Sequence, residues 1–186
     1  INGPTTIDNA IALRGATTIS STANATIDGV ISGAHNLTKT GSATLTLSGT
    51  NTYSGNTIVS AGGLTLTGGS SIGDGSAVSV ANGATLTLGG GSETIGSLLG
   101  DGNIVLGYNL TTGGNHASTT FSGVISGAGN GITKTGSGTF TLSGSSTYTG
   151  STTVSAGTLA LSGGNAISDV SAVIVSSGAT LSLNAS

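Results

Sequence analysis

The chain copies itself. Residues 37–66 read LTKTGSATLTLSGTNTYSGNTIVSAGGLTL, and residues 132–161 read ITKTGSGTFTLSGSSTYTGSTTVSAGTLAL. The offset from Lys39 to Lys134 is 95 residues, and it holds without a gap as far as Leu88 and Leu183. Between residues 38–88 and 133–183, 33 of 51 positions are identical. Gly29-Val30-Ile31-Ser32-Gly33 recurs as Gly123-Val124-Ile125-Ser126-Gly127 at offset 94, so one residue is inserted near Gly131. The 186 residues are thus nearly two units, about 1–95 and 96–186. Self-similarity of this kind points to a stacked repeat architecture in which each unit buries its apolar face against the next.

The two copies also show which way the side chains point, because neighbours in a strand alternate between two faces. Val59 stays Val154, whereas its neighbour Ile58 becomes Thr153. Val78 and Val80 stay Val173 and Val175, whereas Ser79 between them becomes Ile174. Leu64, Leu66, Leu86 and Leu88 are unchanged, while Thr65 and Thr87 become Ala160 and Ser182. Leu45 changes only to Phe140. One face stays apolar and is read as core; the other switches freely and is read as solvent.

A shorter period lies inside each unit. The second leucines of successive TLTL-like strands are Leu47, Leu66 and Leu88, followed by Leu106, with steps of 19, 22 and 18 residues. Val59 to Val80 steps by 21. Short alternating strands returning every ~20 residues, with Gly-rich turns between, fit a coil that stacks on itself. The expected fold is all-β, a right-handed parallel β-helix (a β-solenoid) of about nine coils of roughly 20 residues, forming one continuous domain over residues 1–186. At ~4.8 Å per coil the rod is on the order of 40 Å long. The rival is a pair of Ig-like sandwiches, since ~95 residues suits that domain. The absence of Trp, the presence of only two Phe and the lack of any linker between copies argue against it.

Composition supports strand over helix. Glycine is 35 of 186 residues, proline occurs once and charged residues make up 5%, so polarity comes from Ser, Thr, Asn and Gly. Strict alternation and a mean hydropathy of +0.32 separate the chain from disordered tracts. A net charge of −3 on so few ionisable groups leaves no basic footprint for nucleic acid. No apolar run is long enough for a membrane-spanning helix, so membrane insertion of this segment is not expected. With no Cys there is no disulfide or thiolate metal site. The opening Ile1–Ala25 reads as short strands around Ile11, Leu13 and Ile19, with turns at Gly3-Pro4 and Arg14-Gly15. The chain starts without Met or leader and is expected to be a piece of a longer repetitive protein.

The pattern T-K-T-G-x-x-T-L-T-L-S-G-x-x-T-Y-x-G-x-T-x-V-x-A-G-x-L occurs at Thr38–Leu64 and Thr133–Leu159. It resembles the passenger-associated strand repeat of bacterial autotransporters. The GATLTL and GATLSL stretches at Gly83–Leu88 and Gly178–Leu183 look like looser rungs of the same family. The resemblance implies a right-handed parallel β-helix in a surface-exposed or secreted passenger region of a Gram-negative bacterium, exported through a C-terminal barrel. Members of that family serve as adhesins, aggregation factors, proteases and toxins, so the repeat identifies a stalk rather than an activity.

Candidate sites are sparse. Lys39 and Lys134 precede equivalent turns, and Asp74 and Asp169 lie in another. All four are expected to be turn or edge charges that discourage misplaced strand pairing, rather than repeated ligand contacts. Tyr53 and Tyr148 are expected to end a strand and pack at a corner over the next coil, with sugar stacking as the alternative. His35 and His116 have no partner at metal spacing. Gly73-Asp74-Gly75 is similar to a calcium-binding nonapeptide turn, but its counterpart Ser168-Asp169-Val170 breaks the motif, which never recurs every nine residues. The acids Asp8, Asp28, Asp74, Glu93, Asp101 and Asp169 are not clustered in sequence, and no activated serine motif occurs. No catalytic, metal or cofactor residues are therefore expected, and the chain is not expected to be an enzyme. Sequons at Asn24, Asn36, Asn109 and Asn184 are expected by chance in so Thr-rich a chain.

Two kinds of function remain. One is a structural stalk of adhesin or aggregation type, or a segment of an extracellular filament made by end-to-end stacking of copies. The other is a rod that binds host or bacterial surface glycans through its Thr, Asn and Tyr rows. Neither Ile1–Leu13 nor Leu181-Ser182-Leu183 looks like a polar cap, so both ends are expected to be covered by further repeats or neighbouring copies.

Overall fold

Alternating Thr and Leu or Val in short runs, broken by Gly-Ser turns, give short strands that do not pair with one another within a coil. They pair instead with their equivalents one coil away. The computed structural model describes residues 4–184 as a parallel β-solenoid of about nine coils, and the described residues contain no helix. Every strand pairing is parallel. The sandwich alternative, which needs antiparallel hairpins, does not apply.

The coils have three faces. On the first, strands Thr5–Ile7, Ala25–Ile27, Thr44–Leu47, Gly63–Leu66, Thr85–Leu88, Asn103–Leu106 and Val124–Ser126 stack in order. The second begins with Ile11–Ala12 and Ile31–Ser32, and resumes with Glu93–Ile95, Leu110–Thr112, Ile132–Lys134, Thr152–Val154 and Val173–Val175. The third carries nine strands, from Thr17–Ser20 and Leu37–Thr40 through Thr57–Val59 and Ala77–Val80 to Thr158–Ser162 and Thr180–Asn184.

The expected leucine ladder is present. Leu47 pairs with Leu66, Leu66 with Leu88 and Leu88 with Leu106. All four are at most 1% exposed. Ile7 and Ile27 extend this ladder toward the first coil. Val59 and Val80 pair on the third face as their spacing implies. The unchanged apolar positions of the first unit are buried, and the switching positions point outward. In the last coil the same inward positions are open: Val173 is 38% exposed and Leu183 74%, because no described coil lies over them.

Near the start, strands form around Ile11 and Ile19 and the chain bends at Arg14-Gly15, as expected; Leu13 is buried but lies just past the strand Ile11–Ala12 rather than in one. The strands at Thr5–Ile7 and Ala25–Ile27 are additional. The turn expected at Gly3-Pro4 depends on Gly3, which lies outside the described residues.

The sequence unit and the coil are out of phase. Thr44–Leu47 lies on the first face, but its counterpart Thr139–Leu142 lies on the third. Thr57–Val59 lies on the third face, and its counterpart Thr152–Val154 on the second. The 95-residue unit therefore advances four full coils and two further faces. Equivalent residues of the two units consequently sit on different sides of the rod.

Candidate functional site

The chemistry of the repeat lies inside the rod. Lys39 holds an inward ladder position between Ile19 and Val59, and only 1% of it is exposed. Its stem packs where a leucine would. Its ammonium donates to the carbonyls of Thr40 at 2.8 Å, Gly41 at 2.9 Å and Ala61 at 3.0 Å. Three donors thus meet three acceptors, two on its own corner and one on the next coil. Lys134 repeats the arrangement with Thr135, Gly136 and Ala156, between Thr112 and Val154 on another face. The expectation of turn or edge charges is corrected for both lysines: they are internal staples. Burial holds both ammonium pKa values below the ordinary lysine value.

The glycine of each Thr-Lys-Thr-Gly makes this cage. Gly41 has φ +81° and Gly136 φ +65°, a left-handed conformation that glycine adopts without a Cβ penalty. A Cβ there would also meet the Ser21 oxygen at 2.2 Å or the Gly113 oxygen at 2.0 Å. The tight corner leaves its carbonyls free to converge on the lysine.

Tyr53 and Tyr148 are 1% and 0% exposed, and each hydroxyl lies 2.6 Å from the Oγ1 of the threonine four residues on, Thr57 or Thr152. The corner-packing expectation holds. Sugar stacking on these rings is excluded by their burial, and neither residue ends a strand, since both lie in irregular segments. Burial pushes the Tyr53 hydroxyl up to about 12; the Thr57 bond opposes the shift and the charge of Glu93 adds to it. Tyr148 moves in the same direction through burial.

On the second face, polar side chains take over where strand pairing lapses. Asn51 accepts the Ile31 N–H at 2.7 Å and donates to the Ser71 carbonyl at 2.7 Å, spanning three coils. Glu93, 1% exposed, then accepts the N–H groups of Ser71 at 3.3 Å and Ile72 at 2.7 Å. Nothing in the sequence had singled out Asn51, and Glu93 had figured only as one of six scattered acids. Asn24, Asn36 and Asn109 act similarly at other corners: each side-chain oxygen accepts the N–H of a residue 20 to 22 places later. Among the described residues, only Thr112 Oγ1 is a buried side-chain polar atom without a hydrogen bond.

The remaining candidates are exposed. Asp74 and Asp169 lie in turns, as expected. His35 and His116 are exposed and far apart in the chain; His116 takes φ +62° and lies 3.1 Å from Ser137 Oγ. Among the described residues no three His, Cys, Asp or Glu side chains are grouped as metal ligands would be.

Burial pushes the Glu93 carboxyl up to about 7 from an ordinary 4.5; the bonds from Ile72 and Ser71 oppose this, and the charge of Asp74 adds to it. Between those values the folded chain holds a proton that the unfolded chain has released. This group's contribution is therefore fully present below pH 4.5 and is lost as pH rises through 7. At ~1.36 kcal/mol per pH unit the loss is on the order of 3 kcal/mol. Urea titrations at pH 5 and pH 8 should show the wild type losing more stability than Glu93→Gln, by an amount of that order. Parallel pH profiles for the two proteins would contradict it.

Coils, corners and internal staples define a parallel β-solenoid whose recurring motif is structural. Residues 37–66 and residues 132–161 each match the family model of the passenger-associated-transport-repeat, so the chain carries two copies of an autotransporter passenger repeat. These are the segments that hold the lysine cage and the tyrosine–threonine pair. No curated protein matches the chain, and no solved structure matches it.

Proposed function

We propose that this segment is the structural stalk of a surface-exposed or secreted bacterial passenger protein, of adhesin or aggregation type, and that it performs no catalysis. The observation that carries this reading is the pair of passenger repeats in one unbroken solenoid. The large polar side chains they share serve the interior: Lys39 and Lys134, Tyr53 and Tyr148. A motif kept for a ligand would show itself on the surface, and on the same side in each unit. Here the units are turned relative to one another, so equivalent outward residues face different directions.

The test places the segment between a secretion signal and a translocator barrel in a Gram-negative host. The stalk reading predicts display on the cell surface, read by antibody and protease on whole cells, with no single sugar captured on a glycan array. Retention inside the cell would overturn the passenger assignment. Capture of one specific sugar would replace the stalk with a glycan-binding rod, whose contacts would have to be outward Thr and Asn rows rather than Tyr53 and Tyr148.

A further inference from the structure

In an Asn-Gly pair the glycine nitrogen is the least hindered of backbone nitrogens for attack on the neighbouring side-chain amide, because glycine carries no Cβ. The chain holds three such pairs, at Asn2, Asn82 and Asn130, and Asn2-Gly3 lies outside the described residues. The fold treats the other two in opposite ways. Asn130 is locked. Its amide nitrogen donates to the carbonyls of Gly107 at 2.9 Å, Ala128 at 3.2 Å and Leu106 at 3.3 Å. The Gly131 N–H donates to Asn109 Oδ1 at 2.8 Å, and a Cβ on Gly131 would meet the Ser151 oxygen at 1.9 Å. Neither the amide nor the attacking nitrogen is free to turn.

Asn82 is free. Asn82 and Gly83 are exposed in the turn between the third-face strand Ala77–Val80 and the first-face strand Thr85–Leu88. Only the flanks are tied: Ala81 N–H donates to the Val59 carbonyl at 2.9 Å, Ala84 N–H to that of Ala81 at 2.9 Å and Thr85 N–H to that of Gly62 at 3.0 Å. Among the described residues no backbone hydrogen bond takes up the Gly83 N–H. Gly83 has φ +76°, and a Cβ there would meet nothing within 4 Å. The second unit makes the same turn, with Ala179 N–H on the Ser176 carbonyl at 3.0 Å and Gly178 at φ +80°, but Ser177 stands in place of Asn82. The fold therefore does not need this amide.

We propose that Asn82-Gly83 is a site of spontaneous covalent modification that turns this corner of the rod into isoaspartate. The Gly83 nitrogen bonds to Cγ of Asn82 and gives up its proton. The bond from Cγ to the side-chain nitrogen breaks, and that nitrogen leaves with the proton as ammonia. Water then opens the five-membered imide: breaking the new Cγ–N bond gives aspartate, and breaking the original peptide bond gives isoaspartate. The product carries one carboxylate more than a chain of net charge −3 and, as isoaspartate, an extra methylene in the backbone of the turn. The corner Asp101-Gly102 of the next coil packs on this turn, since a Cβ on Gly102 would meet the Ala81 oxygen at 2.4 Å and the Ala84 oxygen at 2.8 Å. Both lysines are internal, so neither offsets the added charge. The modification marks the age of an exposed rod, and its product is a substrate for enzymes that methylate isoaspartyl carboxylates. The inference rests on the fold and not on the stalk reading, so either can fail alone.

The test incubates the intact folded chain in warm buffer at pH 8 and follows each asparagine by peptide mass spectrometry, with isoaspartate counted by an isoaspartyl methyltransferase and a labelled methyl donor. Asn82 should convert at least tenfold faster than Asn130, with isoaspartate among the products. In urea, where both turns are lost, the two rates should come within about threefold of each other, because only the fold separates them. Asn82→Ser, which copies the second unit, should fold as the wild type does and lose the early methyl acceptance. Equal rates at Asn82 and Asn130 in the folded chain, faster conversion of Asn130, or aspartate as the sole product at Asn82 would overturn the proposal. The rate comparison on the unsubstituted protein decides the matter even if Asn82→Ser disturbs folding.

Discussion

Replacing Lys39 by Met should lower stability by about 2–4 kcal/mol, an unusually large effect for removing a lysine. Met keeps most of the stem's packing between Ile19 and Val59. It removes all three N–H donors, leaving the carbonyls of Thr40, Gly41 and Ala61 without their partner at a buried corner. Part of the loss is offset, because a buried ammonium no longer has to be desolvated. For a chain of this size the melting temperature should fall by roughly 5–15 °C. Lys134→Met should do the same, since its cage is equivalent. Arg14→Met is the control: Arg14 is exposed, and its loss should be nearly neutral. Thermal unfolding of the three variants checks this. Equal melting temperatures for Lys39→Met and Arg14→Met would show that the cage contributes nothing.

Leu66→Asp should cost several kcal/mol and unfold at least the neighbouring coils. The carboxylate would lie in the interior between Leu47 and Leu88, with no cationic partner in its ladder. In a solenoid each coil contacts only its neighbours, so the damage should spread from the site outward. Loss of exchange protection should be greatest on strands Thr44–Leu47 and Thr85–Leu88. The contrast is Leu183→Asp, the same chemistry at a ladder position 74% exposed, which should leave stability nearly unchanged.

Much of the fold was legible because the alternation of Thr with Leu and the return interval near 20 residues are both set by geometry. Leu47, Leu66, Leu88 and Leu106 fell into one ladder because a parallel coil has to bring its inward positions into register. Lys39 was misjudged for a physical reason. A charged residue next to a turn is usually solvated, and only the convergence of three carbonyls at a left-handed glycine makes its burial favourable. That convergence depends on the next coil, through Ala61, which local sequence does not reveal. Asn51 and Glu93 were missed similarly: their partners lie 20 to 22 residues away, across coils. The signal available was position, since both stand where the second face lacks or regains a strand. The rotation of the second unit was hidden because an offset of 95 residues does not say how many coils it spans.

Paired cysteines on the outer surface test the account most directly. Thr120 and Thr141 are register partners on the third face, whereas Ser126 lies on the first face. Neighbouring parallel strands are ~4.8 Å apart, within the ~4.4–6.8 Å window for a disulfide. Under mild oxidation, Thr120→Cys with Thr141→Cys should form an intramolecular crosslink, as should Thr46→Cys with Thr65→Cys in the first unit. Ser126→Cys with Thr141→Cys should not. Thr120 and Thr141 are also the counterparts of the first-unit partners Thr26 and Thr46, so the same crosslink reports that the second unit keeps the coil-to-coil register of the first. Efficient crosslinking of Ser126→Cys with Thr141→Cys, and none between positions 120 and 141, would contradict the parallel solenoid and its register.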